Sequence, residues 1–585
     1  MVSHHTQADI LSIEALLNCY LREVALPNQW LSFIPTPRSG YRAELTLTAQ
    51  ACSLYFYVHS VSATANYHYL RLPSQSPTGP ELDPDRLAVL LLTELCHLED
   101  QDDCVELLEQ IRCSRTVMTR ILEHKSHARP LPNGVVDAFV ESERAMTVGH
   151  RYHPTPKARQ GMSEQELFDF SPEHDARFQW RCFSIPREWY RSRGDVDLQT
   201  FIRTQWMPEL DLDEDRALLP VHPWQARFLA EQDEIRDWLR TGALLDHGSA
   251  GQKLYATSSL RSCYHPDLDY FVKGSLNVRL TNCVRKNAIY ELDTAVALSD
   301  AIRPLAEPMR DQGFTLMYEP AYQSLDSDRG IARDWVEGFS FIARENRFRD
   351  EQLGHRPVMA GALFAPQPGG ESLIRAEIAA AGGVLKTGYF NAALLWFNAL
   401  LDVMVEPTMR LYFEHGVVLE PHLQNGLIGL KRHLPVHYYY RDMEGTKLVP
   451  EQWPAALLPE LSEQALSSVY YDADKGWNRV CYCLFLNTLA QAVFYIGGGD
   501  ELLERSLWRA VADYLDELSV RLPAGRERLQ ALLSSAYLPN KANLLVRFRK
   551  QADRQAGYVM TANPIRRAHT DTRPVRPQEP LDAAV

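Results

Sequence analysis

Residues 271–286 read FVKGSLNVRLTNCVRK. Leu276, Val278 and Leu280 occupy even positions. Lys273, Ser275, Asn277, Arg279 and Thr281 occupy odd ones, with Arg285 just beyond. Strict alternation over this length predicts a half-buried strand with one apolar face and one polar face. The polar face here is a row of cations and hydroxyls. On an open surface they are ordinary solvated charges. In a cleft they form a wall for an anion, and the sheet around them becomes a binding platform.

The chain has 585 residues and exceeds what one hydrophobic core can organise, so two to four domains are expected. Its 45% hydrophobic and 23% charged residues are those of an ordinary globular protein. A formal net charge of −14 at pH 7 speaks against nucleic-acid binding, which is usually written into the charge of a whole domain. A local cationic pocket stays open. The ten cysteines form no CxxC pair, so neither zinc nor iron–sulfur is expected, and a reducing cytoplasm fits. The opening MVSHHTQADILSIEALLNCY lacks the basic-then-apolar order of a secretory signal. The greasy stretch TGYFNAALLWFNALLDVMVE carries Asn391, Asn398 and Asp402 and is expected to be a buried helix, not a membrane span.

An α+β organisation is expected. Helical patterns at 9–25 and 86–125 flank the strand-like AELTLTAQACSLYFYVHSV. The Pro/Gly-rich HARPLPNG (127–134) and FAPQPGGESL (364–373) suggest boundaries, giving segments 1–135, 136–363 and 364–562. The middle segment mixes strands with short helices. The last is largely helical, at 373–381, 385–415, 461–470, 477–496, 500–521 and 525–534, with strand signals at 416–432 and 436–441. The Pro- and Arg-rich tail 563–585 is expected to be disordered.

Four clusters could carry chemistry. In VGHRYHPTPKARQGMS (148–163), His150, His153, Lys157 and Arg159 crowd a segment that two prolines keep from becoming a helix. In YATSSLRSCYHP (255–266), Thr257, Ser258, Ser259 and Ser262 surround Arg261, whose planar fork suits oxyanions. The opening strand is the third. The fourth is VVLEPHLQNGLIGL (417–430), where Glu420, His422 and Gln424 alternate with apolar residues before an Asn425-Gly426 pair that reads as a hairpin turn. YYYRDMEG follows and ends in another glycine turn after Asp442. Glu420, Asn425 and Asp442 are oxygen donors of the kind Mg²⁺ accepts. Each cluster taken singly also reads as a plain basic loop, hydroxyl turn, solvated strand face or polar turn. No GxxxxGK[ST] or GxGxxG motif is present, so a nucleotide would have to be held by side chains. His222 and Trp224 in LLPVHPWQARFL are expected to shape a strand-to-helix corner.

GHRYHPTPKARQG, LLPVHPWQ, TSSLRS, VKGSLNVRLTNCVR, EPHLQN and YRDMEG follow one another in an order and spacing similar to those of one family. The chain resembles the siderophore synthetases that work without nonribosomal peptide synthetases, the aerobactin-synthetase type, over roughly residues 140–550. The resemblance implies a cupped-hand fold of thumb, fingers and palm and a homodimer. It also implies an ATP- and Mg²⁺-dependent ligase that adenylates citrate or a related polycarboxylate. An amine or hydroxyl co-substrate then takes the acyl group. His153, Ser259, Arg261, Ser262, Lys273 and Arg285 would face the triphosphate, with Lys157 and Arg159 less firmly placed. Glu420, Asn425 and Asp442 would hold Mg²⁺. His422, Arg285 and Arg479 would bind the polycarboxylate, with Lys541 in LPNKANLLVRF closing the site. Arg285, His422 and Lys273 would be the groups closest to the reaction. Three alternatives stay open: a synthetase using a citrate monoamide or 2-oxoglutarate, a non-catalytic ferric-siderophore or polycarboxylate binder, and a kinase-like transferase releasing ADP. The paired cysteines of a ferric-siderophore reductase, another region the family can carry, are not evident.

Overall fold

The computed structural model describes residues 6–570, apart from 38–39, 126, 128, 211–212, 214, 281–282, 350 and 552–556. The expectation of disorder from residue 563 needs correction, because Pro564–Thr570 is a helix whose Ile565 is buried in the largest core. The remainder beyond residue 570 and the turn residues Thr281 and Asn282 lie outside the described residues.

The first layer is a four-stranded antiparallel meander over Leu31–Pro35, Tyr41–Leu47, Cys52–Val58 and Tyr69–Ser74. Ala43, Leu45 and Leu47 point inward and pair across with Phe56, Leu54 and Cys52, a period of two that buries one face. Helices Gln7–Tyr20, Pro84–Leu98 and Val105–His124 cover that face. The helical pattern 86–125 is thus two helices. The acidic run EDQDD interrupts it, and Asp100 adopts a left-handed φ of 49° there. This core also receives Leu544, Leu545 and Phe548 from the far end of the chain.

An eight-stranded antiparallel sheet forms the platform. Tyr270–Gly274 lies inside it, between Phe341–Glu345 and Ser262–Tyr264. Here the expected single strand 271–286 needs correction. The chain leaves the sheet at Gly274, where a Cβ would come within 2.7 Å of the Trp180 ring. It then joins a separate three-stranded sheet as Leu276–Leu280, between Cys283–Arg285 and Arg159–Gln160. The odd residues therefore do not share one face. Lys273 stays on the platform, whereas Ser275 is buried and donates to Glu337 O at 2.6 Å. Leu276 and Val278 pack with Trp224 and Leu260.

A third sheet orders Phe314–Met317, Leu434–Arg441, Gly426–Lys431 and Arg356–Met359, with Phe314–Met317 parallel to Leu434–Arg441. Two of its strands precede residue 363, so hydrogen bonding crosses the expected boundary there. The hairpin turn also differs from expectation. Asn425-Gly426 opens a strand, and the reversal falls at Arg432 and His433, both left-handed at φ 50° and 69°. Residues 419–425 form a compact turn, held by Gly426 N–H donating to His422 O at 3.2 Å.

Helices Tyr389–His415, Ala473–Cys481, Ala490–Gly497 and Glu501–Arg521 build the largest core with this sheet. Tyr389–His415 and Ala473–Gly497 are long and apolar enough to cross a membrane by length and composition, and most of both is buried inside the protein. Trp396, Phe397, Leu400 and Met404 of the first are fully enclosed.

Candidate active site

His222 is structural, as its sequence context suggests. Its Nδ1 accepts the Trp224 N–H at 3.2 Å and caps the helix Pro223–Ala230. The neighbouring polar turn is different in kind. Residues 257–262 join two platform strands and bend at Leu260, which has a left-handed φ of 63°. Hydroxyls hold the bend: Thr257 Oγ1 donates to Ser262 O at 2.8 Å, and Ser262 N–H donates to Ser259 Oγ at 3.1 Å. Ser262 then lies directly opposite Lys273 in the ladder, so both side chains leave the same face.

Lys273 is buried among acids. Its Nζ is 2.7 Å from Asp442 Oδ1, 2.8 Å from Glu444 Oε2 and 3.5 Å from Glu319 Oε1. Arg344 joins the set, 2.6 Å from Glu319 and 3.4 Å from Asp442. Arg261 divides its fork between Asn287 Oδ1 at 2.6 Å and Glu444 Oε2 at 3.1 Å. Burial alone would raise the Asp442 carboxyl, but Lys273, Arg344 and Arg261 outweigh it and hold it well below the ordinary value. The same contest brings Glu444 down to about 2. Burial opposes the Lys273 charge, and its three carboxylates overcome that and raise the ammonium. Asp442 has φ 91° and ψ 80°, a backbone conformation that costs about 1–3 kcal/mol and recurs where function demands it.

Two joined chambers open around this network. The smaller, of about 180 Å³, is lined by Lys157, Ser259, Ser262 and Lys273; the larger, of about 620 Å³, by His153, Glu420, His422, Arg479 and Lys541. Arg261, Arg285, Asn425 and Asp442 line both. Every residue that the resemblance assigns to the site thus lines one chamber or the other; Ser275, Asn277 and Arg279 of the opening stretch line neither. Lys157 and Arg159 line the smaller one, yet their charged heads converge on buried Glu173 at 2.5 and 2.7 Å. Burial lowers the Lys157 ammonium against the pull of Glu173. In the larger chamber Arg479 Nε stands 3.1 Å from Glu420 Oε1. His422 is lowered by burial, then by Lys541 and Arg479, against Glu420 and Asp442.

Arg344, Glu319, Glu143 and Arg441 were not singled out. Glu143 receives Arg441 Nη1 at 2.6 Å and the Ser258 N–H at 2.8 Å, tying the hydroxyl turn to the strand before Asp442. No local motif marks Arg344 or Glu319: Arg344 reaches the site through the pairing of its strand with Tyr270–Gly274, and Glu319 lies on the link between Phe314–Met317 and the strand Ala321–Leu325.

The oxygen donors suit a hard cation. Glu420 Oε2 and Asp442 Oδ2 lie 3.6 and 3.7 Å from where a Cβ on Gly445 would stand, so both face the gap that this glycine leaves. The donor set is two carboxylates and an amide. Among the described residues no cluster of three or more His, Cys, Asp or Glu side chains could hold a metal on its own.

Residues 138–365 match the IucA/IucC family, and residues 394–556 match the ferric iron reductase FhuF-like transporter family. The cysteines within the second segment are Cys481 and Cys483, both buried. The chain is 28% identical to the spermidine-citrate ligase of Bacillus anthracis, over 95% of this chain and 98% of that one. It is 32% identical to the N(2)-citryl-N(6)-acetyl-N(6)-hydroxylysine synthase of Vibrio mimicus, over 63% of each. Its fold superimposes on ATP-bound aerobactin synthetase IucA from a hypervirulent pathotype of Klebsiella pneumoniae with a TM-score of 0.84, at 23% identity, covering 95% of this chain and 99% of that one. Fold and relatives define the class as a ligase of siderophore biosynthesis. The IucA/IucC match covers residues 138–365, and nearly the whole chain is similar to proteins of siderophore biosynthesis.

Proposed function

We propose that this chain uses ATP to adenylate a carboxylate of citrate and then joins the acyl group to an amine or hydroxyl co-substrate. The observation that carries this reading is the pair of joined chambers sharing Arg261, Arg285, Asn425 and Asp442. Citrate and ATP together carry about seven negative charges near neutral pH, and bringing them together in a poorly solvated cleft costs several kcal/mol. In-line attack at phosphorus needs chiefly positioning and charge neutralisation.

In this reading the smaller chamber takes the phosphates, with Ser259, Arg261, Ser262, Lys273 and Arg285 around them, His153 and Lys157 at their edge. His422, Arg479 and Lys541 hold citrate beyond Arg285. Glu420, Asn425 and Asp442 would hold Mg²⁺, which supplies positive charge against the phosphate oxygens when bound. A citrate oxygen attacks the α-phosphorus and pyrophosphate leaves. The nucleophile then attacks the acyl carbon, its C–O bond to phosphate breaks, AMP departs and one proton passes to solvent. Carboxylates already pinning Lys273 and Arg261 keep these cations in place before substrate arrives, so little reorganisation remains for the reaction. The division into thumb, fingers and palm, the homodimer and the cytoplasmic location belong to the same reading.

The test is pyrophosphate release that requires both ATP and citrate, with AMP as co-product and an amide or ester identified by mass. ADP in place of AMP, or binding without turnover, would overturn it. Replacing citrate by 2-oxoglutarate or a citrate monoamide in the same assay fixes the acid.

A further inference from the structure

Glu291 stands in the first turn of the helix Ile289–Ala306 and lines the larger chamber beside Tyr290. The other carboxylates lining that chamber hold cations: Asp442 and Glu444 hold Lys273, and Glu420 holds Arg479. Glu291 has no ion pair among the described residues. Its Oε1 accepts the Tyr290 hydroxyl at 3.2 Å. Burial and the nearby Glu444 charge raise its carboxyl, against the pull of Arg261 and Lys447. A carboxylate kept in a partly desolvated wall without a close cation is costly unless a cation arrives. Citrate and phosphate would be repelled there. The reactant that attacks the acyl-adenylate is the one that can carry positive charge.

Resting on the adenylation reading above, we propose that Glu291 is a specificity-determining residue that binds the non-reacting ammonium of a diamine or polyamine co-substrate. The reacting amine must shed its proton before attack, so a fixed carboxylate serves best as an anchor for the charge that persists. The co-substrate chain then spans the larger chamber from Glu291 toward the acyl carbon near Arg285. The reacting nitrogen forms the amide, AMP leaves with the former C–O electron pair, and the proton passes to solvent.

The probes are 1,5-diaminopentane and 5-amino-1-pentanol, equal in length but differing in the charge of the far end. The wild type is expected to favour the diamine. Glu291→Gln should raise KM for the diamine by about tenfold, the scale of one charge-assisted contact, with kcat little changed and KM for the amino alcohol unmoved. Citrate-dependent ATP–pyrophosphate exchange and hydroxylamine trapping of the acyl group should persist in the variant, which separates this role from a folding defect. An unchanged diamine KM overturns the assignment, as does a wild type that does not distinguish the two probes. Failure of citrate-dependent exchange in the wild type instead overturns the adenylation reading and takes this inference with it.

Discussion

Lys273 and Asp442 lie 169 residues apart in sequence and 2.7 Å apart in space, joining the platform strand to the turn that ends the third sheet. Lys273 also meets Glu444 and Glu319, so it is the hub of a buried charge cluster. Removing one partner from such a cluster costs about 3–5 kcal/mol, because the opposite charges stay buried without compensation. Lys273→Met should therefore lower the melting temperature and abolish citrate-dependent ATP–pyrophosphate exchange. The double variant Lys273→Met/Glu444→Gln should regain part of the stability and none of the activity. Recovery of both would mean that Lys273 serves the fold alone.

Arg285 lies at the end of a short strand and borders both chambers. Arg285→Ala is expected to slow adenylation by at least about 100-fold, comparable to losing one well-placed donor to a developing charge. The melting temperature should fall by only a few degrees. Turnover at the wild-type rate would refute its placement between nucleotide and acid.

The sequence made the clusters visible and left their meeting invisible. Lys273, Ser259, Arg261 and Asp442 were legible because cations, hydroxyls and acids recur at short spacing there. Arg344 and Glu319 were not, since the first follows a plain apolar run, Phe341 to Ala343, and only its register with Tyr270–Gly274 brings it near Asp442. Alternation also misled. It carried straight through Ser275, where the close packing of Gly274 on Trp180 ends the platform strand. The Asn-Gly signal at 425–426 failed for a related reason. Gly426 is there because the Tyr438 side chain occupies the space of a Cβ, a constraint that only the tertiary structure reveals.

Asp442 and Glu420 present their second oxygens to the gap beside Gly445. Asp442→Asn keeps the shape and removes a charge, so the Mg²⁺ concentration for half-maximal adenylation should rise by about tenfold. Superimposable metal titrations of variant and wild type would count against a metal at this gap. Gly445→Ala offers a second arm: the added methyl enters the gap and should weaken the metal response while both carboxylates remain.

Glu444 offers a pH signature. Its folded carboxyl is brought from the usual 4.5 down to about 2 by Lys273 and Arg261 acting against burial. A depressed carboxyl stabilises the fold above its unfolded pKa, and that contribution disappears as pH falls through the folded value. Glu444→Gln should thus be less stable than wild type at pH 6–8 by an amount independent of pH. The gap should narrow below about pH 4.5. Urea midpoints measured at intervals from pH 8 to pH 3 give the comparison; a gap that widens in acid would contradict the ion-pair account.

Glu23 connects the two ends of the chain. Its two carboxyl oxygens accept the N–H groups of Leu544 and Leu545 at 3.0 and 2.9 Å, at the start of the helix Asn543–Phe548. Two residues earlier comes Lys541, on the wall of the larger chamber, and Asn543 donates to Tyr152 O at 2.8 Å. Glu23→Ala leaves two buried donors without acceptors, at about 1–3 kcal/mol each. It also frees the segment that positions Lys541. A lower melting temperature should therefore come with a several-fold rise in KM for citrate and little change in KM for ATP, because Lys541 reaches only the larger chamber. Glu23→Gln, which keeps one carbonyl acceptor, should fall between the two. If citrate and ATP affinities weaken together in proportion to lost stability, the N-terminal helix supports the whole fold and does not selectively hold the acid-binding wall.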